Sequence, residues 1–482
     1  MGSWVTTVPA TYASTAGLLG LTVYSLAAGA PLIVAAYAGA LARSSDREAS
    51  SLPDFLRRRF ALSRPGSKAG GLVAWLASAV LLLNMVLALL AEYATLGSLF
   101  RVYVGSSEGL AALPVILMAL LTTGYTSVGG LRVSILTDRV QAICALALTA
   151  VLAACLCSFR APPGGLPPLS REQAGWTTSG ISSLLTMPAS LVSATLFSEA
   201  VWQRVWASDS SKSLYQASCI GAAAVSLVTF FFGFTGFLAL WAGRASLEST
   251  NPNLFFFAFF SSSPDAHLDS IPGLLALLCA ALMSEGAADS LQNGITATLS
   301  STLLAGRSLW ATRMLVLVVN LPLAFIGASP VVSSVLQLFL LANLACVCCA
   351  LPLMAALLRS RRLRQLVTEG AVLAGCFGGW IGLTGYGWLR EGDLAAGAHM
   401  AWLGNDYSYD YFLAAIFSSA CSLGTVCALN LAFGTRGGEL SPGGAGTSNV
   451  LLASTWETTS ISEGNLAAPL GACLPSARIV RC

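Results

Sequence analysis

Charge is what this sequence has least of. Acidic and basic side chains make up 10% of its 482 residues, against 55% apolar residues and a mean hydropathy of +0.74. So lean a complement of charge cannot keep a folded chain of this length in water, which excludes the soluble globular classes and leaves an integral membrane protein. Histidine is nearly missing: His267 and His399 lie in polar segments between apolar runs, which removes the usual imidazole routes to metal binding and acid–base catalysis. No nucleophile stands at motif spacing from a base, so an enzyme is not expected. The sequence also lacks an Asn-x-Ser/Thr acceptor, a secretory signal before the first apolar run, and a polar stretch long enough for a separate folded domain. A net charge of +3 suggests no nucleic-acid partner.

Long apolar runs are plentiful instead. Crossing about 30 Å of hydrocarbon takes roughly 20 apolar residues, and such runs lie near 18–41, 70–98, 109–127, 140–158, 180–200, 215–242, 271–304, 309–327, 331–358, 370–389 and 411–433. Threading these eleven runs through a bilayer places 17 of the 25 Lys and Arg in loops on one side, five on the other and three in the tail. The basic side faces the cytosol, which predicts an outside N-terminus and a cytosolic C-terminus. Most of the thirteen Cys, among them Cys279, Cys346, Cys348 and Cys349, lie inside the runs, where a thiol acts as a small hydrophobe. No cofactor, and no metal centre beyond a transported cation, is expected.

The segment 1–17 is too short to cross a membrane and reads as half a helix. The loop 44–68 contains Leu52-Pro53-Asp54-Phe55-Leu56-Arg57-Arg58-Arg59-Phe60, an amphipathic turn expected to rest on anionic lipid headgroups. In the outer segment 243–270, the run Phe255 to Phe260 has the composition of a lid over an entrance. Beyond 433 the chain turns to Gly, Ser and Thr without periodicity. The expected organisation is therefore a polytopic transmembrane domain over 1–433 and a disordered cytosolic tail over 434–482.

An ionised group at mid-bilayer costs several kcal/mol, so carboxylates inside the runs are functional candidates. They are Glu92, Glu199, Glu285 and Asp289. The run 271–304 is the most polar, and positions 281, 284, 285 and 288 recur at helical spacing, so that carbonyl, hydroxyl and carboxylate oxygens suited to a hard cation such as sodium converge. Glue between helices is the plainer role for Ser284 and Asn293. Glu199 precedes a Trp202-Gln203-Arg204 stretch and could pair with Arg204; Glu92 could satisfy a neighbouring helix.

Three stretches make the chain resemble the sodium/solute symporter family over most of its length. They are Leu52-Pro53-Asp54-Phe55-Leu56 to Phe60; Gly129-Gly130-Leu131-Arg132-Val133 with Thr137-Asp138-Arg139-Val140-Gln141; and Gln203-Arg204-Val205-Trp206-Ala207. The spacing Ser284-x-Gly286-x-Ala288-Asp289 is similar to the eighth core helix of the urea-type branch. The resemblance implies an all-α integral membrane protein with the inverted-repeat, five plus five helix symporter fold and extra C-terminal helices. It implies Ala281, through its carbonyl, and Ser284, through its hydroxyl, as sodium ligands. Glu285 falls where the family usually has a second Ser or Thr, which puts a negative charge beside the ion or makes a proton the coupling ion. Ser198 and Glu199 match positions that face the substrate. The family's first core helix is broken at its centre, and this chain begins near that break, at Met1-Gly2-Ser3-Trp4. The expected function is sodium-coupled symport of a small polar solute, with urea or a similar nitrogenous compound as first guess, in the plasma membrane. A sensor, regulatory subunit or inactive remnant of the family is the expectation from a different class.

Overall fold

The computed structural model describes residues 2–434, apart from 47, 62–70, 104–107, 161–163, 262–269, 305–307, 330, 331, 333 and 359. Among these residues every regular element is helical: α1 Trp4–Ser45, α2 Leu52–Ala61, α3 Gly71–Tyr103, α4 Glu108–Cys157, α5 Arg171–Ala174, α6 Thr178–Leu196, α7 Glu199–Ala207 and α8 Ser211–Trp241 come first. They are followed by α9 Phe255–Ala258, α10 Ile271–Thr298, α11 Leu309–Ala328, α12 Val335–Ala355, α13 Arg361–Leu366, α14 Glu369–Glu391, α15 Leu394–His399 and α16 Tyr409–Gly434. Nine described helices are long and apolar enough to cross a membrane. The chain divides into a unit over Met1–Ala428 and a second over Leu429–Cys482. The expected disordered tail lies, from 435 on, outside the described residues.

Two of the long helices contain a break, and in both a glycine supplies it. Gly17 in α1 (φ 65°, ψ −167°) and Gly130 in α4 (φ 55°, ψ −150°) adopt backbone angles that side chains with a Cβ avoid. The first break separates the predicted half-helix from the run that begins at 18. The second separates the predicted runs 109–127 and 140–158, though the helix resumes at once after the Gly129-Gly130 pair. The run 180–200 also ends early. Helix α6 stops at Leu196, Ser198 takes an extended conformation (φ −122°, ψ 107°), and α7 starts at Glu199. Asn84 of α3 stabilises this interruption, its amide donating to the carbonyls of Ala194 and Phe197, both at 2.9 Å. Carbonyls freed by a broken helix are thereby satisfied inside the protein, as an apolar surrounding requires.

The amphipathic turn forms as α2, but protein covers the face expected to meet lipid. Leu52, Phe55, Leu56 and Phe60 are at most 2% exposed and join the core cluster with Trp202, Val205 and residues of α3. The charges that seemed to mark a headgroup surface are partly spent locally: Asp54 pairs with Arg57 at 2.7 Å and Arg58 at 3.1 Å. Arg59 is buried, donates to the Arg364 carbonyl and lies over the Phe60 ring. Burial, with the Arg364 charge nearby, lowers its pKa from the usual arginine range.

The aromatic run also packs inward. Phe255, Phe256 and Phe257 are at most 1% exposed, and Phe256 meets Phe232 of α8 edge-on at 4.6 Å. It is part of a second core cluster, not an open lid. The cysteines Cys346, Cys348 and Cys349 are fully buried in α12 and fill core volume.

Candidate functional site

Helix α10 holds the site because it is both central and polar. It packs along α4 and α3, and Ser284, Ala288, Asp289 and Gln292 are at most 1% exposed. Consecutive residues on a helix point about 100° apart, so Ser284 and Glu285 address different neighbours.

Ser284 turns toward α3 and the start of α1. Its hydroxyl is fully buried and interacts with the carboxylate of Glu92 of α3, without a hydrogen bond of ordinary geometry. The Glu92 carboxylate is 2% exposed and accepts from the Ser3 amide at 2.8 Å and from the Ser3 hydroxyl at 2.7 Å, both on Oε2. Ala281 is half-buried one turn before Ser284. Three elements distant in sequence thus bring oxygen atoms to one place.

Glu285 turns toward the second half of α4, beside Gln141 and Asp289. A Cβ on the next residue, Gly286, would stand 2.8 Å from the Gln141 Oε1 and 3.7 Å from the Asp138 Oδ1, so glycine lets α10 approach the Thr137-Asp138-x-x-Gln141 motif. Asp289 accepts from the hydroxyls of Tyr125 (2.9 Å), Ser134 (2.9 Å), Thr137 (3.1 Å) and Ser290 (3.2 Å). Asp138 takes Arg204 Nη2 at 2.5 Å, and the same nitrogen donates to Ser290 at 3.0 Å. The possible Glu199–Arg204 pair is therefore replaced by Asp138–Arg204. That pair is partly exposed and contributes about 0–1 kcal/mol to stability.

Ser198 sits in the interruption between α6 and α7. Glu199 is 1% exposed, and its carboxylate lies against the backbone amide of Leu52 at the start of α2, without a hydrogen bond of ordinary geometry to any described group. The two residues are adjacent in sequence to the break, while Glu199 points to the start of α2.

A further layer of amides binds the helices together. Gln292 donates to the Tyr93 hydroxyl at 3.2 Å and to Thr122 at 2.9 Å, the Tyr93 hydroxyl donates to Asn320 at 2.6 Å, and Asn320 donates to Thr123 at 2.7 Å. Below it, α4, α7, α10 and α11 enclose a polar cavity of about 200 Å³ whose lining includes Gln203, Asn293, Thr296 and Arg313. Asn293, for which glue between helices is the plainer role, lines this cavity.

Sequence reasoning missed the Ser3–Glu92 pairing and the hydroxyl cage around Asp289. Glu92 carried a signal, a carboxylate inside an apolar run, but nothing in its neighbours named Ser3, 89 positions away, as the partner. Tyr125 and Ser134 carried none.

No family model matches the chain. A curated protein described as the spermidine transporter DUR31 of Candida albicans is 29% identical over 352 residues, which is 71% of this chain and 63% of that protein. The chain thus spans less than two thirds of the relative's length. A solved structure titled as the substrate-bound outward-open state of a Na+-coupled sialic acid symporter, revealing a novel Na+-site, superposes with a TM-score of 0.58 at 15% identity, covering 89% of this chain and 90% of that one. This likeness shows the fold alone: all-α and membrane-spanning, with the inverted-repeat fold of that symporter and extra C-terminal helices. Neither comparison supports the urea-type branch, since the cargoes named are spermidine and sialic acid, each for its own protein.

Proposed function

We propose that the chain is a secondary active transporter that couples entry of a cation, sodium before proton, to uptake of a small polar nitrogenous solute by alternating access. The observation that carries this reading is the fully buried Ser284 hydroxyl on the most polar helix, set against the buried Glu92 carboxylate without a hydrogen bond of ordinary geometry. A buried hydroxyl without a good hydrogen bond costs up to about 1–3 kcal/mol, a cost a bound cation removes. Hydroxyl, carbonyl and carboxylate oxygens are the donors a hard monovalent ion takes, so the residues present fit sodium. In this reading Ser284 and the Ala281 carbonyl hold the ion, Glu285 supplies negative charge from the α4 side, and Ser198 and Glu199 at the interrupted helix contact cargo. The membrane potential contributes about 2.3 kcal/mol per charge per 100 mV to each inward step.

Urea or a similar compound is what the resemblance to the urea-type branch implies as cargo, and neither comparison supports it; the name of the curated relative supports an amine such as spermidine within the same nitrogenous class. Uptake of labelled spermidine and of labelled urea into proteoliposomes, with and without an inward sodium gradient, tests the proposal. Sodium-stimulated uptake of either is the expected result; absence of any solute flux would return the chain to the sensor or remnant class. Orientation with a cytosolic tail and residence in the plasma membrane belong to the same proposal.

Ser284→Ala is expected to raise the sodium concentration for half-maximal uptake about tenfold, the loss of about 1.4 kcal/mol of ion binding. An unchanged sodium dependence removes Ser284 from the ion site. Glu285→Ser restores the hydroxyl that the family usually carries. If a proton couples the parent protein, its uptake follows pH and that of the variant follows sodium; if both follow sodium alone, Glu285 does not choose the ion.

A further inference from the structure

The polar cavity between α4, α7, α10 and α11 has a guanidinium in its wall with no acid to balance it. Arg313 of α11 is half-buried there. None of the five ion pairs among the described residues includes it, and it donates no hydrogen bond to any of them. The sequence gives the reason. Segments 109–137 and 290–368, which supply all of the lining except Gln203, contain no Asp or Glu. The nearest acids along α4 and α10 are engaged elsewhere, Asp138 with Arg204 and Asp289 with its four hydroxyls. Gly130 lets the guanidinium reach the break in α4, since a Cβ there would stand 3.1 Å from Arg313 Nη2.

The remaining wall offers hydrogen-bonding atoms that the protein leaves open. Asn293 Nδ2 and Gln203 Oε1 are buried and have no hydrogen-bond partner among the described residues. Gln203 is held in place by its Nε2, which donates to the Asn293 carbonyl at 3.5 Å. The hydroxyls of Thr126, Thr296 and Ser300 donate to carbonyls of their own helices at 2.7, 2.8 and 3.0 Å, so they have only lone pairs left to offer the cavity. One fixed positive charge, one buried N–H and several acceptors therefore converge. An oxyanion matches the planar fork of Arg313 and the amide of Asn293. The acceptors ask in addition for a proton, which an ionised carboxylate or a chloride lacks and a phosphate group retains. At about 200 Å³ the space is smaller than the roughly 300–1,000 Å³ of sites for whole small molecules, so it takes that group alone.

We infer that this cavity is a phosphate-binding site, in which Arg313 and Asn293 donate to the phosphate oxygens and Gln203 accepts the proton that a free phosphate or a phosphate monoester carries. The site is separate from the cation and cargo positions proposed above and does not rest on them. Two sources share the chemistry: phosphate in solution, and the headgroup of a lipid such as phosphatidic acid. Trp310, 66% exposed and one turn before Arg313, is the kind of residue that sits at headgroup depth.

Equilibrium binding of radioactive phosphate and, in parallel, of labelled short-chain phosphatidic acid to the purified full chain in detergent tests this, with ionic strength held constant by chloride. Saturable binding is expected, weakened at least tenfold by Arg313→Gln and several-fold by Arg313→Lys, which keeps the charge and loses the fork. Arg132→Gln removes an exposed charge outside the lining and should change binding less than twofold. The better probe should also raise the melting temperature of the parent protein and not that of the Arg313→Gln variant. Tighter binding of phosphatidic acid assigns the site to a headgroup, and tighter binding of phosphate assigns it to the free anion; either supports the site. If Arg313→Gln does not fold, Arg313→Lys decides. Binding equal to the parent's in whichever variant folds overturns the inference, as does a parent chain that binds neither probe saturably. A loss in Arg132→Gln as large as that in Arg313→Gln overturns it too, because the attraction is then a diffuse effect of surface charge.

Discussion

Gly17→Val is expected to abolish accumulation of folded protein. Gly17 is held at φ 65° where α1 breaks, and a β-branched residue at positive φ is an outlier that costs about 1–3 kcal/mol by itself. Its added Cβ would stand 2.5 Å from both the Cα and N of Gly175 and 2.6 Å from the Glu172 carbonyl oxygen. These are backbone atoms that cannot rotate aside. Gly175 is in turn pressed on the Ala16 carbonyl, and Gly180 on the Gly175 carbonyl, so relief would have to move α5 and the start of α6 together. Overpacking adds about 1–3 kcal/mol, and the upper end of the sum reaches the lower end of an ordinary domain's stability of about 5–15 kcal/mol. Gly17→Ala should be intermediate. Yield of monodisperse protein and melting temperature in detergent are the readouts; a Val variant that matches the parent in both would show that the break tolerates a side chain.

The second large effect is expected at Asp289. Asp289→Leu removes the acceptor for four hydroxyls, of which that of Ser134 is fully buried. Each buried donor left unpaired costs about 1–3 kcal/mol. Thr137 loses least, since its hydroxyl also donates to the carbonyls of Val133 and Ser134. The variant should lose several kcal/mol, while Asp289→Asn, which keeps one acceptor oxygen, should lose roughly half as much. Thermal melting of the three proteins in the same detergent checks the ranking. Equal melting of the Leu variant and the parent would mean that the hydroxyls find other partners and that the cage does not hold α4 to α10.

The two effects differ in how far they were visible before folding. The carboxylate of Asp289 stood out because an apolar run contained it, and the same reasoning flagged Glu92, Glu199 and Glu285. What each of them touches was not legible. Spacing on α10 grouped 284 with 285, yet a helical step of about 100° sends Ser284 to α3 and Glu285 to α4. Arg204 had the nearer acid in sequence at Glu199 and took Asp138 instead. The interruption of α7 from α6 points Glu199 at the Leu52 amide and leaves the Arg204 guanidinium facing α4. The amphipathic period of α2 was legible, but period alone does not tell a lipid surface from a protein one, and here Trp202 and its neighbours provide the apolar partner.

Composition and the length of the apolar runs decided by themselves that this chain lives in a bilayer as a bundle of helices, because a backbone without water must satisfy its hydrogen bonds within each segment. Only the tertiary structure decided which oxygens meet. Ser3, Glu92 and Ser284 come from three segments, and it is the close approach permitted by glycine and small residues, a matter of packing between distant parts of the chain, that brings a carboxylate and a buried hydroxyl to one point.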